Sequence, residues 1–195
     1  KTSIVIEPPK QRLRITSHRL ARVLELNEYR TEFGAWAEIT KLVKLPFEDT
    51  KYTLAGKALE PKIIKYVSGK LPNIVSIEDY YGNNFEDYRY NNFKDDSNVF
   101  GGVIDAVSTL NDKQTITMIL ECKTSSKPQL WTNNNVPVEY LLQGALYSYL
   151  KGLDKIVFAC TFLKEADYNH PEMVEVNEEN TIIVISSKNS ALYIK

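Results

Sequence analysis

Apolar positions recur at helical spacing in the first third of this chain and at strand spacing afterwards. Leu20, Val23, Leu24 and Leu26 mark one face of a helix over residues 18–26, with Thr16 or Ser17 as its N-cap. A second helix is expected over residues 31–44, stopped by Pro46. The third, over 53–68, shows Leu59, Ile63, Ile64 and Val67 as its stripe. Pro61 lies inside that stripe, and its missing N–H predicts a kink or restart near Glu60. Beyond Gly69 the segments 74–78, 85–93, 99–110 and 115–124 are rich in β-branched and aromatic residues and read as strands. Asn111-Asp112-Lys113-Gln114 is the turn between the last two. Residues 125–137 form a loop, and 138–151 form an amphipathic helix ended at Gly152. The almost continuously apolar run 155–163 predicts a strand buried on both faces. Residues 173–176 and 181–186 are expected as further strands, and 1–14 as an extended, Pro-containing arm. Helices first, a central meander, then helix and strand give a mixed α/β sandwich around one sheet.

With 195 residues, 43% of them apolar, the chain can bury one good core. One domain is expected, mainly helical over 1–70 and sheet-based over 71–195. Lysine and arginine total 24 against 25 acidic residues. There is no global basic field of the kind that marks a nucleic-acid binder, so any such contact must come from a local patch. Two cysteines, Cys122 and Cys160, cannot alone build a Cys-rich zinc or iron–sulfur site. They suit buried apolar positions in a reducing, cytoplasmic compartment. No apolar run approaches the ~20 residues that cross a bilayer, and no charged-then-apolar signal pattern opens the sequence.

The chemistry concentrates in residues 100–150. Gly101-Gly102-Val103-Ile104-Asp105 lies on one predicted strand, Ile119-Leu120-Glu121-Cys122-Lys123 on the next, and Gln143-Gly144 on the helix that follows. Asp105 and Glu121 could supply the one or two carboxylates that magnesium takes beside water and phosphate oxygens. Such a cation polarises a phosphoryl oxygen and supplies hydroxide near neutral pH. Period-two alternation puts Glu121 and Lys123 on one face and turns Cys122 away. Lys123 could orient an attacking water or stabilise developing charge, and the Cys122 carbonyl is a further candidate ligand. Gly101-Gly102 would admit a phosphate backbone closely, or form a bulge. A bare Glu-x-Lys carries little information, and Glu60-Pro61-Lys62 is a second one on a helix. The plain alternative is a hairpin whose solvent face carries Asp, Glu and Lys. Trp131 could stack on a base or cap the core edge. Tyr140 and Tyr147 are expected to pack on the sheet. Lys127 and Lys151 could touch phosphate, and His18 and His170 share no ligand spacing.

Gly102-Val103-Ile104-Asp105, Glu121-Cys122-Lys123 and Gln143 resemble the motif series of the PD-(D/E)XK nuclease superfamily. Upstream, Ile15-Thr16-Ser17, Phe33-Gly34-Ala35-Trp36, Gly56-Lys57-Ala58-Leu59-Glu60-Pro61 and Tyr66 resemble the YqaJ-like viral recombinase group, relatives of phage lambda exonuclease. The resemblance spans residues 15–163. It implies an α+β, restriction-endonuclease-like core: a central mixed sheet flanked by helices, with an N-terminal helical segment. Asp105 and Glu121, with the Cys122 carbonyl, would hold catalytic Mg2+ or Mn2+, and Glu60 would approach the metals from the upstream helix. Lys123 would serve the nucleophilic water, and Gln143 would pack beside the site. Ser17 and Arg19, at a helix start that favours anions, would grip a terminal 5′-phosphate; a plain N-cap and a solvated arginine are the other reading.

The activity implied is metal-dependent exonuclease digestion of one strand of linear duplex DNA from a free end. An endonuclease of restriction or junction-resolving type, or a non-catalytic DNA-binding module, uses the same core. The partners implied are duplex DNA and a single-strand annealing protein, with a homotrimeric ring and no membrane. The setting would be a bacterial or phage-infected cytoplasm. The Pro that opens the name-giving motif is absent, since Val103-Ile104 precedes Asp105, and the region after Leu163 matches no part of the series.

Overall fold

The computed structural model describes residues 14–24, 26, 31–42, 49–87 and 99–187. Its layering follows from the alternation along one strand, β3 (Ile116–Ser125). Ile119 enters a core on one face of the sheet, and Leu120 enters a second core on the other. Around it stand β1 (Ile74–Ser76), β2 (Ala106–Thr109), β4 (Lys155–Phe162) and β5 (Thr181–Ser187), in the spatial order β1-β2-β3-β4-β5. β1, β2 and β3 pair antiparallel, β3 and β4 parallel, and β4 and β5 antiparallel. The parallel pair needs a crossover, and helix α6 (Val138–Lys151) supplies it.

α1 (Ser17–Val23) and α2 (Glu32–Ile39) precede the long helix α3 (Lys51–Ser68). The short helices α4 (Ile77–Tyr81) and α5 (Phe85–Asp87) follow β1. α3 lays Leu59, Ile63 and Val67 on Ala106, Leu120, Val157 and Ala159. On the opposite face α6 covers Ile119, Ile156 and Phe158 with Leu146 and Tyr147. Its closest approach is at Gly144, where an added Cβ would stand 2.7 Å from the Phe158 ring and 2.8 Å from Ile156 Cδ1. The mixed sheet flanked by helices is the restriction-endonuclease-like core that the motif series implies.

Several elements differ from expectation. α3 runs through Pro61 as one helix with no restart. The ring removes one helical hydrogen bond, and the apolar stripe pressed on the sheet holds both halves in line. It starts earlier than expected, where Thr50 Oγ1 accepts from the Thr53 N–H at 3.3 Å. β1 ends at Ser76, whose hydroxyl accepts from the Asp79 N–H at 3.1 Å and turns the chain into α4. Residues 85–87 are helical rather than extended, and 88–93 of that expected strand lie outside the described residues. Of the strand expected over 99–110, the ladder takes only Ala106–Thr109, while Phe100 forms a separate parallel bridge with Ile15. Residues 173–176 make no strand: Pro171–Met173 is a 3-10 turn, and the Val174 carbonyl accepts from Lys62 Nζ at 2.9 Å. α1 stops at Val23. α2 stops at Ile39 rather than at 44, with Lys41 at a left-handed φ of 59°; the arm 1–13, residues 43–44, Pro46 and residues 88–98 lie outside the described residues.

Candidate active site

Asp105 precedes β2 directly, Glu121 to Lys123 sit in the middle of β3, and Gln143 and Tyr147 are one turn apart on α6. β2 pairs Ala106 with Leu120. One residue further on, the Asp105 side chain takes the place of a ladder partner, and its Oδ2 accepts from the Cys122 N–H at 2.7 Å. The N–H and C=O of a strand residue leave by the same side, so the Cys122 carbonyl opens toward Asp105. Alternation then places Glu121 and Lys123 on the α6 face and Cys122 against the α3 core, as the pattern predicts.

Glu121 is fully buried. Its Oε2 accepts from Lys123 Nζ at 2.8 Å and from Gln143 Nε2 at 2.7 Å. Its Oε1 is buried and has no hydrogen-bond partner among the described residues, which is costly for a polar atom unless something else occupies that side. Lys123 Nζ also lies 5.4 Å from the centre of the Tyr140 ring, and that ring stacks on Trp131 at 5.6 Å. Trp131 is 3% exposed, so it braces the core edge beneath the lysine. Glu60, on α3, faces the same group. A cleft of about 810 Å³ runs from Lys57 and Glu60 past Glu78 to Val103 and Asp105.

Electrostatically the cluster holds more negative charge than Lys123 can balance. Burial, then Asp105, pushes Glu121 up to about 8. Burial, then Asp105 and Glu78, pushes Glu60 up to about 7. Burial also raises Asp105, against the pull of Lys123. For Lys123 burial acts downward, but Glu121 and Asp105 outweigh it and hold the ammonium above the usual lysine range. Burial raises the Cys122 thiol well above its ordinary value and Cys160 to about 12, so both stay protonated.

These residues fit one kind of cation and not another. Among the described residues no three His, Cys, Asp or Glu side chains stand together as a metal cage, which a structural zinc would need. Magnesium asks for one or two carboxylates and keeps its waters. Asp105 and Glu121, each pinned by one oxygen, match that demand, and the orphaned Glu121 Oε1 is where a cation would satisfy a buried atom.

Other expected residues stand elsewhere. Arg19 Nε donates to Glu38 Oε1 at 3.2 Å and its Nη1 to the Arg14 carbonyl at 3.1 Å. It is thus committed to the α1–α2 contact that Arg22 shares at 2.5 Å from Glu38 Oε2. Ser17 opens α1, and its side chain lies outside the described ones. The backbone nevertheless ties α1 to the Asp105 segment, because the Ile15 N–H donates to the Val99 carbonyl at 2.8 Å. Lys151 donates to the Tyr81 hydroxyl at 3.1 Å, and His170 is exposed beside Glu172.

Tyr147, expected from the sequence only to pack on the sheet, and Glu78, which the sequence does not single out, both belong to the site. The Tyr147 hydroxyl accepts from Gln143 Nε2 at 3.4 Å, and a Cβ on Gly102 would stand 2.3 Å from its ring. Gly102 is therefore bare to admit Tyr147, a nearer reason than a phosphate. The i, i+4 spacing of Gln143 and Tyr147 was the legible signal. Glu78 left none.

A crystal structure of a phage-related exonuclease from Haemophilus somnus 129PT matches 94% of this chain and 88% of its own, with a TM-score of 0.52 and 15% identity. The two share a fold. The chain is also 31% identical to the uncharacterized protein MG373 of Mycoplasma genitalium, over 88% of this chain and 73% of that one, and it belongs to that family. The Mycoplasma pneumoniae homolog is 28% identical over 88% and 72%. No family model matches the chain.

Proposed function

We propose that this protein is a divalent-metal-dependent deoxyribonuclease that digests one strand of linear duplex DNA from an end. The observation that carries the reading is the buried Glu121, whose Oε2 is fixed by Lys123 and Gln143 and whose Oε1 is buried with no hydrogen-bond partner among the described residues, with Asp105 close enough to raise its pKa. A fold shared with a phage-related exonuclease supports it. Asp105, Glu121 and the Cys122 carbonyl would hold Mg2+ or Mn2+, with Glu60 facing them from α3. When bound, the cation polarises the phosphoryl oxygen and lowers the pKa of its water.

The chain's own groups do the rest. The Cys122 N–H fixes the Asp105 rotamer, and Gln143 and Lys123 fix that of Glu121. Lys123, cationic and braced by Tyr140, would orient the attacking water and stabilise charge building on the phosphoryl oxygens. The cleft between α3, α4 and Asp105 would pass the scissile strand. A 5′-phosphate grip at Ser17 and Arg19 requires Arg19 to leave Glu38. A single-strand annealing partner and a cytoplasmic site of action belong to the proposal through the motif resemblance alone. Among the described residues no helix is long and apolar enough to cross a membrane.

Matched linear and covalently closed duplex DNA, with Mg2+ and with EDTA, test the proposal. Loss of the linear form alone, blocked by EDTA, is the expected result. Cutting of both forms makes the protein an endonuclease. DNA binding with neither form lost overturns the metal site.

A further inference from the structure

The two edges of the sheet are finished differently. β1 has three residues and is packed by α3 and α4, which are the usual ways to blunt an edge. β5 has seven residues, Thr181 to Ser187, and among the described residues no strand pairs with its outer side. It runs beside β4 in unbroken register from Lys155↔Ser187 to Thr161↔Thr181, with no bulge. It contains no charge, no proline and no glycine, and five of its seven residues are β-branched. Ile185 is 53% exposed on it, whereas Val184 beside it is buried. An uncharged, regular edge with an exposed isoleucine is a template for another strand.

The sequence of the strand says which strand fits. Thr-Ile-Ile-Val-Ile-Ser-Ser is nearly symmetric about Val184. Laid antiparallel on itself, it sets Val184 against Val184, Ile183 against Ile185, and Ile182 against Ser186. Ile183 already packs with the α3 core. Pairing would therefore extend that core over the exposed Ile185 of the other chain, and cross-strand pairs of β-branched residues are favourable.

We infer that β5 is the seam of a two-fold dimer, in which a second copy of this chain adds its β5 antiparallel and joins two five-stranded sheets into one. Such a contact is isologous and uses each β5 edge once. Because the β1 edge is short and covered, assembly stops at two. The inference is independent of the nuclease reading and stands in place of the ring of three that the motif resemblance implies.

Sedimentation of the chain across a concentration series, with Ile185→Lys and Leu110→Lys, tests it. Leu110 is similarly exposed, at 51%, but lies at the far end of β2. A two-copy mass is expected for the wild type and for Leu110→Lys, with dimerisation weakened at least about tenfold by Ile185→Lys. Val184→Cys should form an interchain disulfide on oxidation, since directly opposed Cα atoms lie about 4.5–5.5 Å apart; Ile182→Cys, opposite Ser186, should not. A one-copy or three-copy mass at every concentration overturns the inference. So does a two-copy mass that Ile185→Lys leaves unchanged, or a two-copy preparation of Val184→Cys that does not cross-link.

Discussion

On one face of the sheet α3 presses Leu59, Ile63 and Val67 onto Ala106, Leu120, Val157 and Ala159. On the other, α6 covers Ile119, Ile156 and Phe158 with the same kind of side chain, but two residues along β3 it meets Glu121 and Lys123. Glu121 is as fully buried as Leu120 on the other side of the strand. The first face is held by area removed from water, roughly 25 cal/mol per Å² of apolar surface. The second takes two ionisable groups out of water, and the residues around them must offset that loss one bond at a time. One face therefore supplies stability, and the other uses part of it to hold a carboxylate with one free oxygen.

The sharpest break between the faces is Lys123→Ala against Leu59→Ala. Lys123→Ala should lower DNA cleavage by about a hundred- to a thousandfold, the scale seen when a positioned charge-stabilising donor is lost. Circular dichroism should remain native. Leu59→Ala should cost about 2–5 kcal/mol of stability while leaving cleavage per folded molecule nearly unchanged. Wild-type cleavage by Lys123→Ala, or lost cleavage in fully folded Leu59→Ala, would erase the distinction.

Gly144→Ala probes where the two roles meet. Its Cβ would crowd Phe158 and Ile156, and overpacking of this kind costs about 1–3 kcal/mol. Because Gln143 is the preceding residue, lifting α6 should also reduce cleavage. Denaturant melts paired with cleavage rates check this, and a stable, fully active variant would show that α6 approaches the sheet less closely.

The smallest effect is the response to pH. Glu121 and Glu60 are pushed up to about 8 and about 7 from an ordinary 4.5. Between 4.5 and those values the folded chain keeps protons that the unfolded chain releases. Without metal, stability from this face is therefore full below that window and is lost as pH rises through it. A cation binds the ionised carboxylates, so Mg2+ should raise Tm more at pH 8 than at pH 5. The difference should be a few degrees, at about 2–4 °C per kcal/mol for a chain of this size. Equal shifts at both pH values would mean that the cation binds elsewhere.

Much of this face was legible in the sequence because strand geometry is local. The alternation of Ile119 to Lys123 assigns Glu121 and Lys123 to one side with no knowledge of what lies there. Gly152 ends α6 where its left-handed φ of 65° requires. The helix 138–151 was read with its observed bounds, and the buried run of β4 was read almost as it stands. Local rules failed where a distant surface decided the outcome. Pro61 should interrupt α3, yet the sheet beneath keeps the helix whole. Residues 173–176 have strand composition but spend the Val174 carbonyl on Lys62. Arg19 looks like a phosphate ligand at a helix start, and Glu38, nineteen residues on, engages it.

What the sequence determined by itself were the properties set within a few residues: helix and strand periods, caps and turns, and the order in which carboxylate, Glu-x-Lys and amide follow one another. Tertiary structure decided everything that depends on who stands opposite. It left Gly102 bare for Tyr147, put Glu60 and Glu78 across the cleft from Asp105, and buried Glu121 so that one oxygen is held and the other is not. Those outcomes follow from desolvation and close packing between segments far apart in the chain, and local preference carries no record of them.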